Sequence, residues 1–363
     1  MPKVVIAIDS FKGCLSSSDA NKAAAKAFSN TICIPVSDGG EGMTEAFKAM
    51  GFEHEEVTTK VHGPLMEEIY AKYLILKRTP GTCSDNKEAD LTAIMEMAAA
   101  CGLPLVPMSK RNPEKTTTYG FGEMLIDAIS RGCKHIIIGI GGSATCDAGK
   151  GMLEAIKKLS DRSLLSYQEG NTQRISIDVA CDVDNPLFGP NGAAFVFAPQ
   201  KGADKEMVKR LDTFLQDFYK SSGCKDSVPG DGAAGGLGFA LRYFLGATLK
   251  PGIDVVLDTL GFDKHLDDAK LIITGEGKCD RQTLMGKVPY GILQRAKRKG
   301  IPVVLIAGKV EDKESLIEAG FNDVICINES EDRPLEILMQ ESVAKDNITK
   351  ASYKIKTTLK LNI

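Results

Sequence analysis

Near its N-terminus the chain reads Val4-Val5-Ile6-Ala7-Ile8, an apolar and mostly β-branched run, and continues into the loop sequence Asp9-Ser10-Phe11-Lys12-Gly13. Because the run is continuous rather than alternating, it is typical of a strand buried on both faces, as in a parallel sheet. Further runs of this kind occupy residues 31–36, 271–274, 303–307 and 324–327. Together they predict an α/β fold with a parallel sheet.

Helical patterns separate these runs. Ser17 or Ser18 can cap a helix over residues 19–28. Helices over residues 284–299 and 313–319 each end immediately before a glycine, which is a common C-terminal signal. Strands that alternate with helices in this way predict a doubly wound sheet covered on both faces.

The middle of the chain predicts a second α/β region. Residues 62–77 have β character, and further strands are predicted at residues 135–140, 178–180 and 193–198. Helices are predicted at residues 91–101, 120–131, 205–221 and 233–245. At 363 residues the chain is too long for one core. We predict a discontinuous doubly wound domain, residues 1–70 plus 268–363, and an inserted α/β domain, residues 71–267.

The bulk composition excludes several classes of protein. The formal net charge is −3 without a basic block, which argues against binding nucleic acid. No apolar stretch approaches the roughly 20 residues that cross a bilayer, so no membrane association is expected. The N-terminal residues do not have the pattern of a signal peptide, and the ten cysteines do not form a CxxC pair. We expect a cytoplasmic globular protein with reduced thiols.

Loops rich in polar residues directly follow three predicted strands. Residues 9–13 (DSFKG) and 37–42 (SDGGEG) follow the first two, and residues 274–287 follow a later one. Ligands of doubly wound sheets bind at the carboxyl ends of the strands. Carboxylates, hydroxyls and lysines in such loops suit an anionic substrate and a metal ion, although each loop can also be read as an ordinary polar turn.

Two glycine-rich tracts suggest a site for phosphate. Residues 139–147 (GIGGSATCD) follow a predicted strand and are expected to open a helix, where backbone N–H groups bind phosphate. The same tract satisfies G-x-G-x-x-A, so a dinucleotide-binding interpretation stays open. Residues 229–238 (PGDGAAGGLG) are either a nucleotide cradle or a close packing contact.

A fourth loop, residues 181–186 (CDVDNP), places Asp182 and Asp184 on opposite faces of an extended segment. Asp182 could accept the proton of an attacking hydroxyl, or the loop could be an Asx-Pro turn. Neither a Walker P-loop nor the H-R-D and D-F-G runs of protein kinases occurs. The residues alone predict a two-domain α/β enzyme that uses phosphate and a divalent cation.

Seven motifs, in this order, resemble the signatures of the bacterial-type glycerate kinase family. They are residues 9–13 (DSFKG), 38–42 (DGGEG), 141–145 (GGSAT), 181–187 (CDVDNPL), 199–203 (PQKGA), 232–238 (GAAGGLG) and 274–277 (TGEG). The resemblance implies ATP-dependent phosphorylation of D-glycerate with Mg²⁺, in a two-domain fold with a flavodoxin-like part. We expect a monomer or homodimer. Cys146, Cys279 and Arg281 depart from the family's pattern and are given no role.

The resemblance and the loops together yield the expected site residues. For catalysis we expect Asp182 as the base, with Asp9 as second choice, assisted by Lys12 and Lys287. The remaining expected residues are Ser10, Asp38, Glu41, Asp280 and Thr283 for the substrate; Gly141, Gly142, Ser143, Thr145, Gly235 and Gly236 for ATP; and Asp38 and Glu276 for the metal. The alternatives are a dinucleotide-dependent oxidoreductase acting on a hydroxy acid and a non-catalytic ligand-binding protein.

Overall fold

The computed structural model describes residues 3–38, 42–49, 52–77, 91–159, 175–329 and 333–359. In these ranges the strands are β1 (Lys3–Ile8), β2 (Thr31–Cys33), β3 (His54–His62), β4 (Glu68–Leu76), β5 (Leu91–Glu96), β6 (Cys133–Gly139), β7 (Ser176–Ala180), β8 (Thr248–Lys250), β9 (Ala269–Cys279), β10 (Val303–Val310) and β11 (Asp323–Cys326). The α-helices are α1 (Ser17–Ala25), α2 (Met43–Ala49), α3 (Ala98–Cys101), α4 (Tyr119–Ser130), α5 (Lys150–Leu159), α6 (Ala193–Phe197), α7 (Lys205–Ser222), α8 (Ala233–Leu245), α9 (Gly252–Thr259), α10 (Val288–Arg298), α11 (Lys313–Glu318), α12 (Leu335–Leu338) and α13 (Glu341–Thr358). None of these helices is long and apolar enough to cross a membrane.

The residues group into two compact units. The terminal unit comprises Met1–Asp38, Glu45–Gly51 and Val256–Ile363, and the central unit comprises Gly39–Thr44 and Phe52–Val255. The predicted first boundary, at residue 70, falls within β4, which pairs with β5 in the central unit. The predicted second boundary, at residue 268, falls immediately before β9.

A five-stranded parallel sheet forms the centre of the terminal unit, in the order β11-β10-β9-β1-β2. The five residues from Val4 to Ile8 are fully buried, because helices cover both faces of the sheet. Ile6 and Ile8 pack with Ala20 and Ala24 of α1 and with Ile348 of α13. All five predicted strands of this sheet are present, and the predicted parallel α/β class is confirmed.

A six-stranded sheet forms the centre of the central unit, in the order β3-β4-β5-β6-β7-β8. The hairpin of β3 and β4 is antiparallel, whereas β5 to β8 run parallel. Ile136 and Ile138 of β6 pack in one core with Phe121 and Met124 of α4 and with Met152 of α5. Because β5 to β8 are parallel, their carboxyl ends lie at one edge of the sheet, which is where α/β sheets bind ligands.

Two predicted elements of the central unit are wrong. Residues 91–101 are not one helix, because β5 takes the first part and the short α3 the second. The local helical preference of residues 91–96 is overridden because β5 pairs with β4 on one side and with β6 on the other. Residues 193–198, predicted as a strand, form α6, in which adjacent Ala193 and Ala194 are buried while adjacent Phe195 and Val196 are exposed. That pattern fits a helix rather than the alternation of a strand.

The start of α8 is an unusually close backbone contact. Ala234, Gly235 and Gly236 have positive φ angles of 52°, 70° and 94°. A Cβ atom on Gly235 would lie 2.1 Å from the carbonyl oxygen of Thr145, which no side chain permits. The two glycine-rich tracts of the central unit can therefore touch only because this position lacks a side chain.

We expect Gly235→Ala to destabilise the protein more than the matched change Gly246→Ala. Gly246 ends α8 with a φ of 67°, and a Cβ there has no neighbour within 4 Å. Both changes carry the left-handed penalty of about 1 kcal/mol, and only Gly235→Ala adds a backbone clash. Thermal and urea unfolding measure the difference, and equal losses in the two variants would show that the contact at Gly235 relaxes freely.

Candidate functional site

The first candidate site lies where the terminal sheet reverses its strand order. The chain moves from β1 outward to β2, and later from β9 outward in the opposite direction, so the loops after β1 and β9 diverge. Such a switch point forms a crevice at the carboxyl ends of the strands. Asp9 follows β1 and its N–H donates to the carbonyl of Gly275, 2.9 Å away, directly before Glu276.

A cavity of about 460 Å³ opens at this crevice. Six of the residues expected from the sequence line it, namely Asp9, Ser10, Lys12, Asp38, Glu276 and Lys287. Lys278, Lys309 and Asn328 add polar groups, and Met339 and Leu335 belong to an apolar wall. The cavity thus combines carboxylates with several ammonium groups, which suits a small anionic substrate.

Asp9 is electrostatically unusual. Burial, followed by the negative charge of Asp38, raises the pKa of Asp9 from 3.8 to about 7, and Glu276 acts in the same direction. The N–H of Ser10, 2.7 Å from Oδ1, and the Lys12 ammonium oppose this rise. A carboxyl with a pKa near neutrality can both accept and release a proton at physiological pH.

Glu276 is held from two sides. Its Oε1 accepts a 2.6 Å hydrogen bond from Thr283 Oγ1, and its Oε2 lies 3.5 Å from Lys287 Nζ. Burial raises the pKa of Glu276, while Thr283 and Lys287 limit the rise. Lys287 therefore stays close to a carboxylate at the cavity wall.

Two residues expected at the substrate do not line this cavity. Thr283 is fully buried and positions Glu276. Asp280 accepts the N–H of Gln282 at 2.8 Å and lies 3.4 Å from Lys278, so it caps the short 3₁₀ turn over Arg281–Leu284. Glu41, also expected at the substrate, lies outside the described residues.

The residues expected at the metal, Asp38 and Glu276, both line the cavity. Among the residues that the structure describes, no group of three or more His, Cys, Asp or Glu side chains could hold a metal ion. Mg²⁺ commonly uses one or two carboxylates together with phosphate oxygens and water. The carboxylates at the cavity fit that mode of binding rather than a protein cage.

The second candidate site lies at the carboxyl ends of β6 and β7 in the central unit. A cavity of about 350 Å³ is lined there by Gly141, Gly142 and Ser143 after β6 and by Asp182 after β7. Gly142 has a φ of 71°, and the nearest atom to an added Cβ, 3.6 Å away, is in ordinary contact. Conformation rather than space therefore requires glycine at this position.

The glycine turn does not open a helix as predicted. Helix α5 begins only at Lys150, and the carboxylate of Asp147 accepts the N–H groups of Gly149 and Gly151 at 3.0 and 3.1 Å. The helix start is thus capped by the protein's own aspartate. The N–H groups at the start of α5 are therefore not available to a phosphate at Gly141 and Gly142, which other groups must bind.

Lys201 also belongs to this site, although it is not among the site residues expected from the sequence. It lines the cavity, yet it is only 3 % exposed. Its Nζ donates to Ser143 Oγ at 2.6 Å and to the carbonyl of Thr145 at 2.7 Å. Burial lowers the pKa of Lys201 from 10.5 to about 8. Its position within PQKGA was the available signal, but lysine is ordinarily a surface residue.

Three residues expected at ATP lie behind the cavity wall. Thr145 is fully buried, and its Oγ1 makes no hydrogen bond within the described ranges. Gly235 and Gly236 are buried and contact Thr145 and Ala148. Their neighbour Ala234 does line the cavity.

Asp182 reaches the cavity but also serves the backbone. Its Oδ1 accepts the N–H of Gly252 at 2.7 Å, at the beginning of α9. The residue is exposed, unlike Asp9. The structure thus assigns Asp9 and Asp182 to different cavities, one in each unit.

Comparison with known proteins identifies a family. A family model described as "Glycerate kinase family" matches residues 4–360. The glycerate kinase of Bacillus cereus is 40% identical over 99% of this chain and 98% of that protein. The glycerate 2-kinase of Escherichia coli K12 is 40% identical over 99% of both. The solved structure described as "Crystal structure of putative glycerate kinase 2 from Salmonella typhimurium LT2" superposes with a TM-score of 0.79. The two chains are 36% identical, and the match covers 99% of this chain and 98% of that one.

The raised pKa of Asp9 predicts a pH-dependent stability in Mg²⁺-free buffer. Between about pH 4 and pH 7 the folded protein holds a proton that the unfolded chain has lost, so Asp9 makes the protein less stable as pH rises. Asp9→Asn cannot titrate and should gain several degrees in Tm relative to the parent between pH 5 and pH 8.

Asp178→Asn is a control of opposite sign. Hydrogen bonds from His135 and Lys250 lower the pKa of Asp178, so its stabilising contribution is present at neutral pH and is lost as pH falls. Its replacement should therefore lower Tm at pH 8. If the Tm of Asp9→Asn runs parallel to that of the parent across the range, Asp9 does not have the raised pKa.

Proposed function

This chain belongs to the glycerate kinase family and is a kinase, and we propose that it transfers the γ-phosphoryl group of ATP to the 2-hydroxyl of D-glycerate. The observation that carries the proposal is the terminal-unit cavity, which Asp9, Lys12 and Lys287 line together. The name of the Escherichia coli relative, glycerate 2-kinase, supports the choice of hydroxyl. The dinucleotide-dependent oxidoreductase has no support among these relatives.

D-Glycerate suits the terminal-unit cavity. Its carboxylate needs a cation, and Lys12 and Lys287 both line the wall. Ser10 adds a hydroxyl that can bond a substrate oxygen. Because Lys287 is only 3.5 Å from Glu276, its ammonium has a defined place from which to meet the substrate.

Asp9 is the better candidate for the base. A base is most effective when its pKa is close to the working pH, and the pKa of Asp9 is raised to about 7. Asp182, the base expected from the sequence, is exposed and accepts a backbone N–H. In the proposed reaction Asp9 accepts the proton of the glycerate hydroxyl as that oxygen attacks phosphorus.

The nucleotide phosphates fit the central-unit cavity. Gly141 and Gly142 leave the wall without side chains, so a phosphate can approach the backbone closely. Ser143 offers a hydroxyl at the same wall. The cavity wall would be supported by buried residues that do not line it, namely Thr145, Gly235 and Gly236.

Mg²⁺ would be held by Asp38 and Glu276 together with phosphate oxygens. A metal ion held there would supply positive charge that offsets the negative charge of the transferred phosphoryl group. Thr283 contributes indirectly, because its 2.6 Å hydrogen bond orients the Glu276 carboxylate.

The proposed reaction predicts the products directly. The purified protein with D-glycerate, ATP and Mg²⁺ should release ADP and form 2-phosphoglycerate, identified by ³¹P NMR beside both authentic phosphoglycerates. Excess chelator should abolish turnover. Formation of 3-phosphoglycerate would move the acceptor to the other hydroxyl, and reduction of NAD by glycerate would support the oxidoreductase instead.

The choice of base predicts unequal effects at two aspartates. Asp9→Asn removes the charge without creating a cavity, so kcat should fall about 10²- to 10⁴-fold while KM changes less. Asp182→Asn should retain kcat within about threefold, because an exposed carboxylate bound to a backbone N–H has no part in proton transfer.

Steady-state kinetics of both variants across a Mg²⁺ titration separate the alternatives. Partial rescue of Asp9→Asn by high Mg²⁺ would indicate a metal ligand rather than a base. A large loss in Asp182→Asn with an active Asp9→Asn would return the role of base to Asp182.

A further inference from the structure

The pair formed by Lys201 and Ser143 is a buried group of donors at the wall of the central-unit cavity. The two side chains are 3 % and 8 % exposed, and both line the cavity. The 2.6 Å bond between Nζ and Oγ joins them. They are therefore a preformed unit rather than two independent surface groups.

Each member of the pair keeps one hydrogen-bond donor unused. An ammonium has three N–H donors, and Lys201 uses two, on Ser143 Oγ and on the Thr145 carbonyl. Ser143 Oγ accepts the bond from Lys201, so its own proton is directed elsewhere. Within the described part of the chain, neither remaining donor has an acceptor.

The ammonium also lacks a counter-ion. No carboxylate among the described residues comes within 4.0 Å of Lys201 Nζ. Asp147 is the carboxylate whose charge acts on Lys201, and it is itself engaged by the N–H and Oγ1 of Thr118 and by the N–H groups of Gly149 and Gly151. A buried cation without a carboxylate partner is costly to an empty protein, and an anion in the cavity would remove that cost.

We infer that Lys201 and Ser143 bind a phosphate oxygen of the nucleotide, Lys201 through its third N–H and Ser143 through its O–H. The inference rests on the proposed function, since ATP is the anion that the reaction brings to this cavity. Two donors on atoms 2.6 Å apart match the several acceptor oxygens of one phosphate. Lys201 is thus a phosphate-binding residue, and its bond to the Thr145 carbonyl sets its position.

The inference predicts a selective loss of phosphate affinity in Lys201→Met, which keeps the length of the side chain and removes its charge. Affinity for ADP and for inorganic tripolyphosphate should fall about 10- to 100-fold, the effect of losing a charge-assisted hydrogen bond. Affinity for adenosine should stay within about twofold, because it carries no phosphate. Isothermal titration calorimetry measures all three.

Two further variants serve as controls. Ser143→Ala retains the Lys201–Thr145 bond, so it should stay folded and lose less affinity for ADP than Lys201→Met. Lys205→Met removes the same charge from an exposed position four residues away and should bind ADP like the parent. Thermal unfolding shows which variants are folded.

The outcomes separate this inference from the proposed function. If the parent binds ADP and both Lys201→Met and Ser143→Ala bind it equally well, the pair does not contact phosphate. Equal losses for ADP and adenosine would make Lys201 a purely structural residue. If the parent binds tripolyphosphate but not ADP, the nucleotide assignment fails while the anion site stands. If it binds neither, both are overturned.

Discussion

The pairing of β1 with β9 is the contact on which the terminal-unit cavity depends. Ile8 lies opposite Gly275 in the parallel register, and the N–H of Asp9 donates to the Gly275 carbonyl. The carboxylates of Asp9 and Glu276 therefore reach the same edge of the sheet, although the whole central unit lies between them in the chain. Lys12 and Lys287 enter the cavity from the loops that follow these two strands.

Each cavity has a buried ionisable side chain in its wall, an acid in the terminal unit and a base in the central unit. Burial raises the pKa of Asp9 in the terminal unit and lowers the pKa of Lys201 in the central unit. In each case the solvent-poor setting disfavours the charged form, and a ligand of complementary chemistry would restore it. Groups that reduce the stability of an empty protein are typical of binding and catalytic sites.

The glycine-rich tract over residues 232–238 affects the central-unit cavity indirectly, through the backbone of Thr145. Gly235 packs against the backbone at Thr145, and the carbonyl of Thr145 accepts a hydrogen bond from Lys201. The left-handed conformations of Ala234, Gly235 and Gly236 make this approach possible. A side chain on Gly235 would displace the carbonyl that positions the buried ammonium, so the tract supports the site without lining it at that residue.

The sequence by itself determined the parallel α/β class, the polar loops after the buried strands and the family, because apolar periodicity and motif order are local properties. It misassigned residues 91–101 and 193–198, where pairing and packing with distant elements override local preference. Only the tertiary structure decided that Thr283 holds Glu276, that Asp9 is buried beside Asp38 and that Lys201 is buried. Burial and the charges around a side chain are set by residues far apart in the sequence, and no local pattern specifies them.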